Sequence, residues 1–533
     1  MQQVRLAALA AAGVAVVVLV VVLLVGTGGG GYEPTPDPAY GSQPNFVFIL
    51  ADDENLEMFN RRYMRRTRKL IADPGTEFTN YFVATPLCCP SRAAMLTGQY
   101  GHNNGVLSNV PGYALLREPE NILPAWLQTV GYQTGEVGKW LNGYEKTVPV
   151  HEVVPPGWDK WHGLVGAHGY THFKASQNGE KVSFRQYVSD WIAKQSVGLI
   201  DQFSNDDQPF YLQINELAPH VEAERAQSKG RCGGEAVPAP QDARRFEGVG
   251  LPNSPSINEA DVSDKPEFVA GKSRLTKEQL DLLALRYECR LEALRSLDRS
   301  IGSIMHAIED SGEMDDTVVI FASDNGTFHG EHRLPGGKGL AYEEAAHMPL
   351  AMLVPEKYRG GNPVVPEIDE PTSNIDLVPT IVDLAGAPTC ISETECRVMD
   401  GRSLVGLLSG DDSEWPAQRP LLQELNLNVE ALKDIDRGIS CQFRGVRDRE
   451  WLYIEHTVVP TPGLGTCVEA TPPVVELYDR ARDPYELDNL AASPESVRTK
   501  AAARRLSEIT AELADCAGIE GRDPEPASGH YCS

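Results

Sequence analysis

The stretch NFVFILADD, residues 45–53, decides the fold. Asn45–Leu50 is a short apolar run behind a proline and predicts a buried strand. It stops at Asp52-Asp53. A second run, TVVIFA at residues 317–322, predicts another buried strand and stops at Asp324-Asn325. In open α/β sheets, sites form beyond the carboxyl ends of strands. The two polar ends are therefore expected to converge, and the expected fold class is α/β.

Working outward, DQPFYLQINELAPH (207–220) holds a further strand that ends near His220. The segment LTKEQLDLLALRYECRLEALRSLDRSIGSIMHAIEDSG (275–312) is the longest helical pattern, with Thr276 and Gln279 spaced as a capping box. Residues 221–274 are rich in Pro, Gly and charge and read as a long surface excursion. Beyond residue 400 the pattern changes to short strands and turns, such as REWLYIEH and PVVELYD, and then a final helix. A catalytic domain over 44–400 and a smaller α+β subdomain over 401–533 are expected. No internal repeat is present.

Composition bounds the function. The chain of 533 residues is 41% apolar and 23% charged, a globular balance. A formal charge of −27 excludes nonspecific binding to nucleic acid or to anionic lipid, so cations that receive an anionic substrate must be local. Leu6–Val25 is an uninterrupted apolar run of 20 residues, long enough to span a bilayer. Arg5 precedes it and no positive charge follows closely, which puts the body of the protein outside. Residues 1–25 thus read as a signal anchor crossing the membrane or as a long cleavable signal peptide. Residues 26–43 read as a tether, flexible at its glycines and stiffer at its prolines. The protein is expected to be exported and extracytoplasmic, either membrane-anchored through that segment or secreted. Of ten cysteines, Cys88 and Cys89 are adjacent, and the other eight suit disulfides in an exported chain. Nearness suggests Cys390–Cys396, Cys441–Cys467 and Cys516–Cys532; Cys289 either pairs with Cys232 or is a free core cysteine.

Cys88-Cys89-Pro90-Ser91-Arg92 fits the ordinary roles of a cysteine pair badly. Neighbouring cysteines strain a disulfide, and zinc sites space their thiolates further apart. With Pro90 at the first position of a helix, both cysteines stand at a helix mouth, where free N–H groups favour an anion. Arg92 adds a cation with bidentate geometry. Asp52, Asp53, Asp324 and Asn325 offer hard oxygen atoms that suit calcium or magnesium. Lys139 in GKWLNGY and Lys338 in PGGKGLAYEE follow glycine turns and add positive charge, and His220 suits proton transfer. Each feature alone has a plainer reading. Asp-Asp or Asp-Asn-Gly after a strand is commonly a solvated turn, a lysine after glycine is surface charge, and His102, His220, His329 and His332 are ordinary structural histidines, with His329 or His332 the alternative candidates to line the pocket. Together they read as a metal-bearing pocket for a tetrahedral anion.

CCPSRAAMLTG, residues 88–98, resembles the signature of the formylglycine-dependent sulfatases. The likeness runs over about residues 44–490, with ILADDEN, SDNGTFHGEHRLPGGKG, IDLVPTIVDLAG and ELYDRARDPYELDNLA in support. The resemblance implies an alkaline-phosphatase-like fold, a large mixed sheet flanked by helices with a smaller C-terminal α+β subdomain. It implies that a separate formylglycine-generating maturation enzyme oxidises Cys88, while Cys89 fills a variable position. The aldehyde hydrates, and one hydroxyl attacks the sulfur of a sulfate ester beside a cation. Carried over, Asp52, Asp53, Asp324 and Asn325 match the metal ligands, with Cys88 supplying the remaining oxygen once oxidised. The ion is usually calcium, with magnesium open. Arg92 would stabilise the diol, Lys139 and Lys338 would bind sulfate oxygens, and Lys338 and His220 would assist departure of the leaving group. GHNNGV, GKWLNGY, WHGLVG and PSINEADVSDKP are similar to the N-acetylglucosamine-6-sulfatases and extracellular heparan sulfatases. The implied substrate is a 6-O-sulfated glucosamine unit of a glycan.

Two positions depart from the family pattern. Many sulfatases carry a histidine two or three residues after the first active-site lysine, where this chain has Leu141 and Asn142. His347 stands where the family usually has arginine, which puts a structural ion pair in question. Two other functions stay open: phosphodiester or phosphonate hydrolysis by the same arrangement, and a catalytically silent glycan-binding surface protein.

Overall fold

Every residue of the strand Asn45–Ala51 is buried. It pairs in parallel with Thr317–Ser323 on one side and with Phe210–Asn215 on the other. Strands covered on both faces need apolar side chains on both, and this one supplies them. Phe46, Phe48 and Leu50 point into one core, Val47, Ile49 and Ala51 into another. That alternation is the period-two geometry of an extended chain. In this computed structural model, which describes residues 43–148, 154–166, 168–222, 230–427, 440–461, 466–493 and 496–532, the large sheet has ten strands. From one edge they run Glu367–Ile368, Thr76–Phe78, Leu350–Leu353, Thr317–Ser323, Asn45–Ala51, Phe210–Asn215, Gln133–Gly138, Lys160–Leu164, Phe173–Gln177 and Glu180–Phe184. The middle is parallel and is flanked on both sides by antiparallel pairs, while the outermost pair, Glu367–Ile368 with Thr76–Phe78, is parallel again, so the sheet is mixed.

The long helix forms at Lys277–Ser311. The Thr276 hydroxyl accepts from Gln279 N and the Gln279 side chain accepts from Thr276 N, which closes the capping box. Gly312 ends it in a left-handed turn. Its Leu291, Leu294, Leu297, Ile301, Ile304 and Ile308 enter the core beneath the sheet.

The C-terminal part is a four-stranded antiparallel sheet, Leu421–Asn426, Gln442–Arg447, Trp451–Thr461 and Thr466–Asp479, with the helix Val497–Leu513. Short strands were the expectation; the last two strands have 11 and 14 residues. Thr466–Asp479 is an edge strand, and its register shifts opposite His456–Val458. Pro472 and Pro473 fall in that bulge, where no ladder N–H is required of them. The prolines break the sequence pattern without ending the strand. Phe443, Leu452, Ile454 and Tyr478 pack on Leu87, Leu340 and Tyr342, so this sheet backs the segments that carry the site.

The arginine absent at 347 is replaced from a distance. His347 Nδ1 lies 2.7 Å from Glu343 Oε2, and Arg480 Nε donates to Glu343 Oε1 at 2.9 Å. Arg447 also pairs with Glu343.

Four disulfides join Cys232–Cys289, Cys390–Cys396, Cys441–Cys467 and Cys516–Cys532. The first ties the excursion 221–274 to the long helix, and Phe246 of that excursion is buried in the core. The excursion is therefore pinned to the body. The apolar run Leu6–Val25 and nearly all of the tether lie outside the described residues. Among the described residues, no helix is long and apolar enough to cross a membrane.

Candidate active site

The parallel strands end together. Beyond Ala51 come Asp52 and Asp53; beyond Ser323 come Asp324 and Asn325. Asp53 N donates to Asp324 Oδ1 at 3.1 Å, and Asn325 Nδ2 donates to Asp53 Oδ1 at 2.6 Å. Asp53 takes a φ of 67° to make the turn, a region that costs a non-glycine residue about 1–3 kcal/mol.

The helix Cys88–Thr97 starts at this junction and is buried along its whole length. It begins two residues before the proline, so Pro90 is third in the helix and not first. The first turn has no intrahelical partner for its N–H groups, so a proline there breaks no bond. Cys88 is the first helical residue and 1% exposed. Its Sγ lies 3.5 Å from Asp52 Oδ1 and 2.8 Å from Lys338 Nζ. Cys89 faces away, its N donating to Asn109 Oδ1 at 2.8 Å.

Three cations surround the carboxylates. Arg92 Nε donates to Asp324 Oδ2 at 2.7 Å, and its Nη1 donates to the Lys139 carbonyl. Lys139 Nζ pairs with Asp52 and Lys338 Nζ with Asp53. Lys139 follows the strand Gln133–Gly138, and its N donates to the Asn215 carbonyl at 2.9 Å. Gly138 has φ +113°, and a Cβ there would strike the Asn215 carbonyl. Only glycine turns the chain tightly enough to aim Lys139 inward.

His220 lies in the loop after Phe210–Asn215. Its Nδ1 donates to the Val221 carbonyl at 2.6 Å, which leaves Nε2 at 3.7 Å from Asp53 Oδ2. Ligand atoms of Asp52, Asp53, Cys88 and His220 all lie within 4.8 Å of one another.

Charge follows from burial and proximity. Burial raises Asp52, but His220, Lys139, Arg92 and Lys338 together hold it well below the usual carboxylate range. Burial likewise opposes ionisation of Asp53, and Lys338 with His220 brings it down to about 2. Burial pushes the Cys88 thiol up to about 12 against Lys139 and Lys338. His220 is pushed down to about 4, first by burial.

A cavity of about 230 Å³ opens from this cluster, lined among others by Lys139, Asn142, Glu145, His168, His220 and Val221. His168 had no sequence signal: it is a lone histidine in a glycine-flanked loop. His102 and His332 pair with carboxylates elsewhere, while His329 is buried near Asp53 with both ring nitrogens free of hydrogen-bond partners. His102 Nδ1 is 2.9 Å from Glu424 Oε1, His332 Nδ1 is 2.7 Å from Glu259 Oε2, and His329 packs edge-on against Tyr287.

The fold is alkaline-phosphatase-like, with a buried cluster of carboxylates and cations at the carboxyl ends of a mixed sheet. Residues 44–387 match the family model described as Sulfatase. An arylsulfatase of Volvox carteri is 31% identical over 513 residues, covering 90% of this chain and 76% of that one. An N-acetylglucosamine-6-sulfatase of Capra hircus is 29% identical over 485 residues, covering 85% and 81%. A solved structure of BT4656 in complex with its substrate D-glucosamine-2-N,6-O-disulfate shares the fold with a TM-score of 0.69 at 20% identity, over 88% of this chain and 97% of that one. The chain belongs to the sulfatase family and is a sulfuric ester hydrolase.

Proposed function

We propose that this sulfatase removes sulfate from a 6-O-sulfated N-acetylglucosamine or glucosamine unit of a glycan. The observation that supports the reading is the gathering of residue 88, three carboxylates, one amide and three fixed cations at a single buried point. The cavity of about 230 Å³ beside it has room for a sugar ring.

Asp52, Asp53, Asp324 and Asn325 fit a divalent cation. Their donors are hard oxygens, and Asn325 Oδ1 is a buried acceptor with no protein partner. Calcium is the expected ion and magnesium the alternative; bound there, it would supply Lewis-acid charge. Matured to formylglycine, residue 88 would supply a hydroxyl nucleophile from its hydrated aldehyde. The remaining work falls to the chain's own side chains. Lys139 and Lys338 hold the sulfate oxygens and keep their charge where negative charge grows. Arg92 steadies Asp324 and the backbone of Lys139, and through them residue 88. His220, locked by the Val221 carbonyl, presents Nε2 toward the departing oxygen. Because Cys88 is 1% exposed, the maturation enzyme would act before the chain folds. The four disulfides suit an oxidising compartment, and Leu6–Val25 would carry the chain there as anchor or removed signal.

Sulfate release from a 6-O-sulfated glucosamine glycan, measured beside cleavage of a phenylphosphonate ester, tests this. The expected result is sulfate release with far slower phosphorus chemistry. Turnover of the phosphorus ester alone overturns the reading, as does glycan binding without released sulfate.

A further inference from the structure

Three residues that line the cavity carry a buried polar atom with no protein partner: Trp140 Nε1, Asn142 Oδ1 and His168 Nδ1. The Trp140 ring is packed in the core among Tyr113, Tyr144 and Trp161, which leaves Asn142 and His168. Both residues line the cavity together with Lys139 and His220. Leaving a buried donor or acceptor unpaired costs about 1–3 kcal/mol, and native folds rarely accept it. Two such atoms on one wall, beside a lysine of the reacting centre, suit a ligand with its own hydrogen-bonding groups. We propose that Asn142 and His168 form a neutral polar wall that binds hydroxyl groups of the sugar whose sulfate is removed. This inference rests on the carbohydrate reading above.

The backbone fixes both residues. The Asn142 carbonyl accepts from Tyr113 N at 2.9 Å, while its neighbour Leu141 is buried in the core. His168 follows the strand Lys160–Leu164, which pairs in parallel with Gln133–Gly138. The carboxyl ends of those strands lie side by side, so His168 comes next to Lys139 although it is distant in sequence. Burial, with Lys139 and His220 adding to it, pushes His168 down to about 3. The ring is therefore neutral at working pH and does not compete for the anion. A neutral imidazole donates from one nitrogen and accepts at the other, and an amide also does both. A sugar hydroxyl needs that pairing; a sulfate, which only accepts, is already met by Lys139 and Lys338. Aryl sulfates bring no hydroxyl to this wall.

The test compares His168→Ala and Asn142→Ala with the wild type on two esters, 6-O-sulfated glucosamine and 4-nitrophenyl sulfate. The ratio of kcat/KM for the sugar over the aryl ester should fall about tenfold in each variant, mainly through KM on the sugar. His168→Gln, which keeps a neutral donor and acceptor, should recover part of that ratio. Melting curves check that each variant folds, and the ratio is taken within a single preparation. Equal losses on both esters, or an unchanged ratio, overturn the inference. A wild type that releases sulfate from the aryl ester but never from the sugar fails differently. It strikes the carbohydrate reading itself and takes this inference with it.

Discussion

Two buried ionic clusters in this molecule use the same ingredients and end differently. One is the cluster around residue 88. The other lies where the C-terminal sheet meets the large one. There, Glu343 is paired with Arg447, Arg480 and His347. Glu476 is just as fully met: Oε2 accepts from the Tyr342 and Tyr478 hydroxyls at 2.6 Å, and Oε1 lies 2.7 Å from His456 Nε2. Around residue 88 and its cavity, Asn325 Oδ1, Asn142 Oδ1 and His168 Nδ1 are buried without hydrogen-bond partners. A closed network of buried charges rigidifies a fold, whereas one with unpaired atoms is poor structure. The interface cluster therefore has the form of structure, and the open cluster has the form that the proposed function requires of a ligand site.

The comparison breaks most sharply at residue 88. Cys88→Ala should lower turnover at least about ten-thousand-fold, with melting temperature little changed. Cys89→Ala should be far milder in the same assay, and comparable losses would mean that the wrong cysteine has been assigned. Next, Lys338→Ala should reduce kcat about a hundredfold to a thousandfold, read as sulfate release under saturating substrate. At the closed cluster the effect moves from rate to stability. Arg447→Ala leaves Glu343 and Glu486 short of a buried partner and should cost about 3–5 kcal/mol in denaturant unfolding. The kcat of the protein that remains folded should not change.

The smallest effect is a pH slope. His102 is pushed up to about 9: burial opposes the charge, but Glu424 and the Cys516 carbonyl outweigh it. A histidine raised above its unfolded value stabilises the fold in its protonated form. The contribution is full below about 6.5 and is lost as pH rises through about 9, at most about 3 kcal/mol. Melting temperature should fall across that window in the wild type and fall less in His102→Gln. Parallel curves would remove His102 from the account.

The sequence made the central strands legible because Asn45–Ala51 and Thr317–Ser323 are apolar on both faces and stop abruptly at carboxylates. Asp52, Asp53, Asp324 and Asn325 could be proposed as neighbours because such strand ends converge whatever the loops between them do, whereas Cys88 and Arg92 were joined to them by the helix-mouth reading and by the resemblance of CCPSRAAMLTG to the sulfatase signature. The long C-terminal strands were obscured by Pro472 and Pro473, whose bulge on a sheet edge has no local signature. His168 was invisible for another reason. Nothing near it in sequence announces Lys139, and only the parallel pairing of two strands brings them together. The partners of Glu343 were hidden in the same way, since Arg447 and Arg480 arrive from a different sheet.

The most direct test of the central claim is peptide mass spectrometry across residue 88 of purified, sulfate-releasing protein. The account predicts an aldehyde where the gene encodes a thiol, with Cys89 untouched. Fully active protein carrying an unmodified thiol at Cys88 would contradict it.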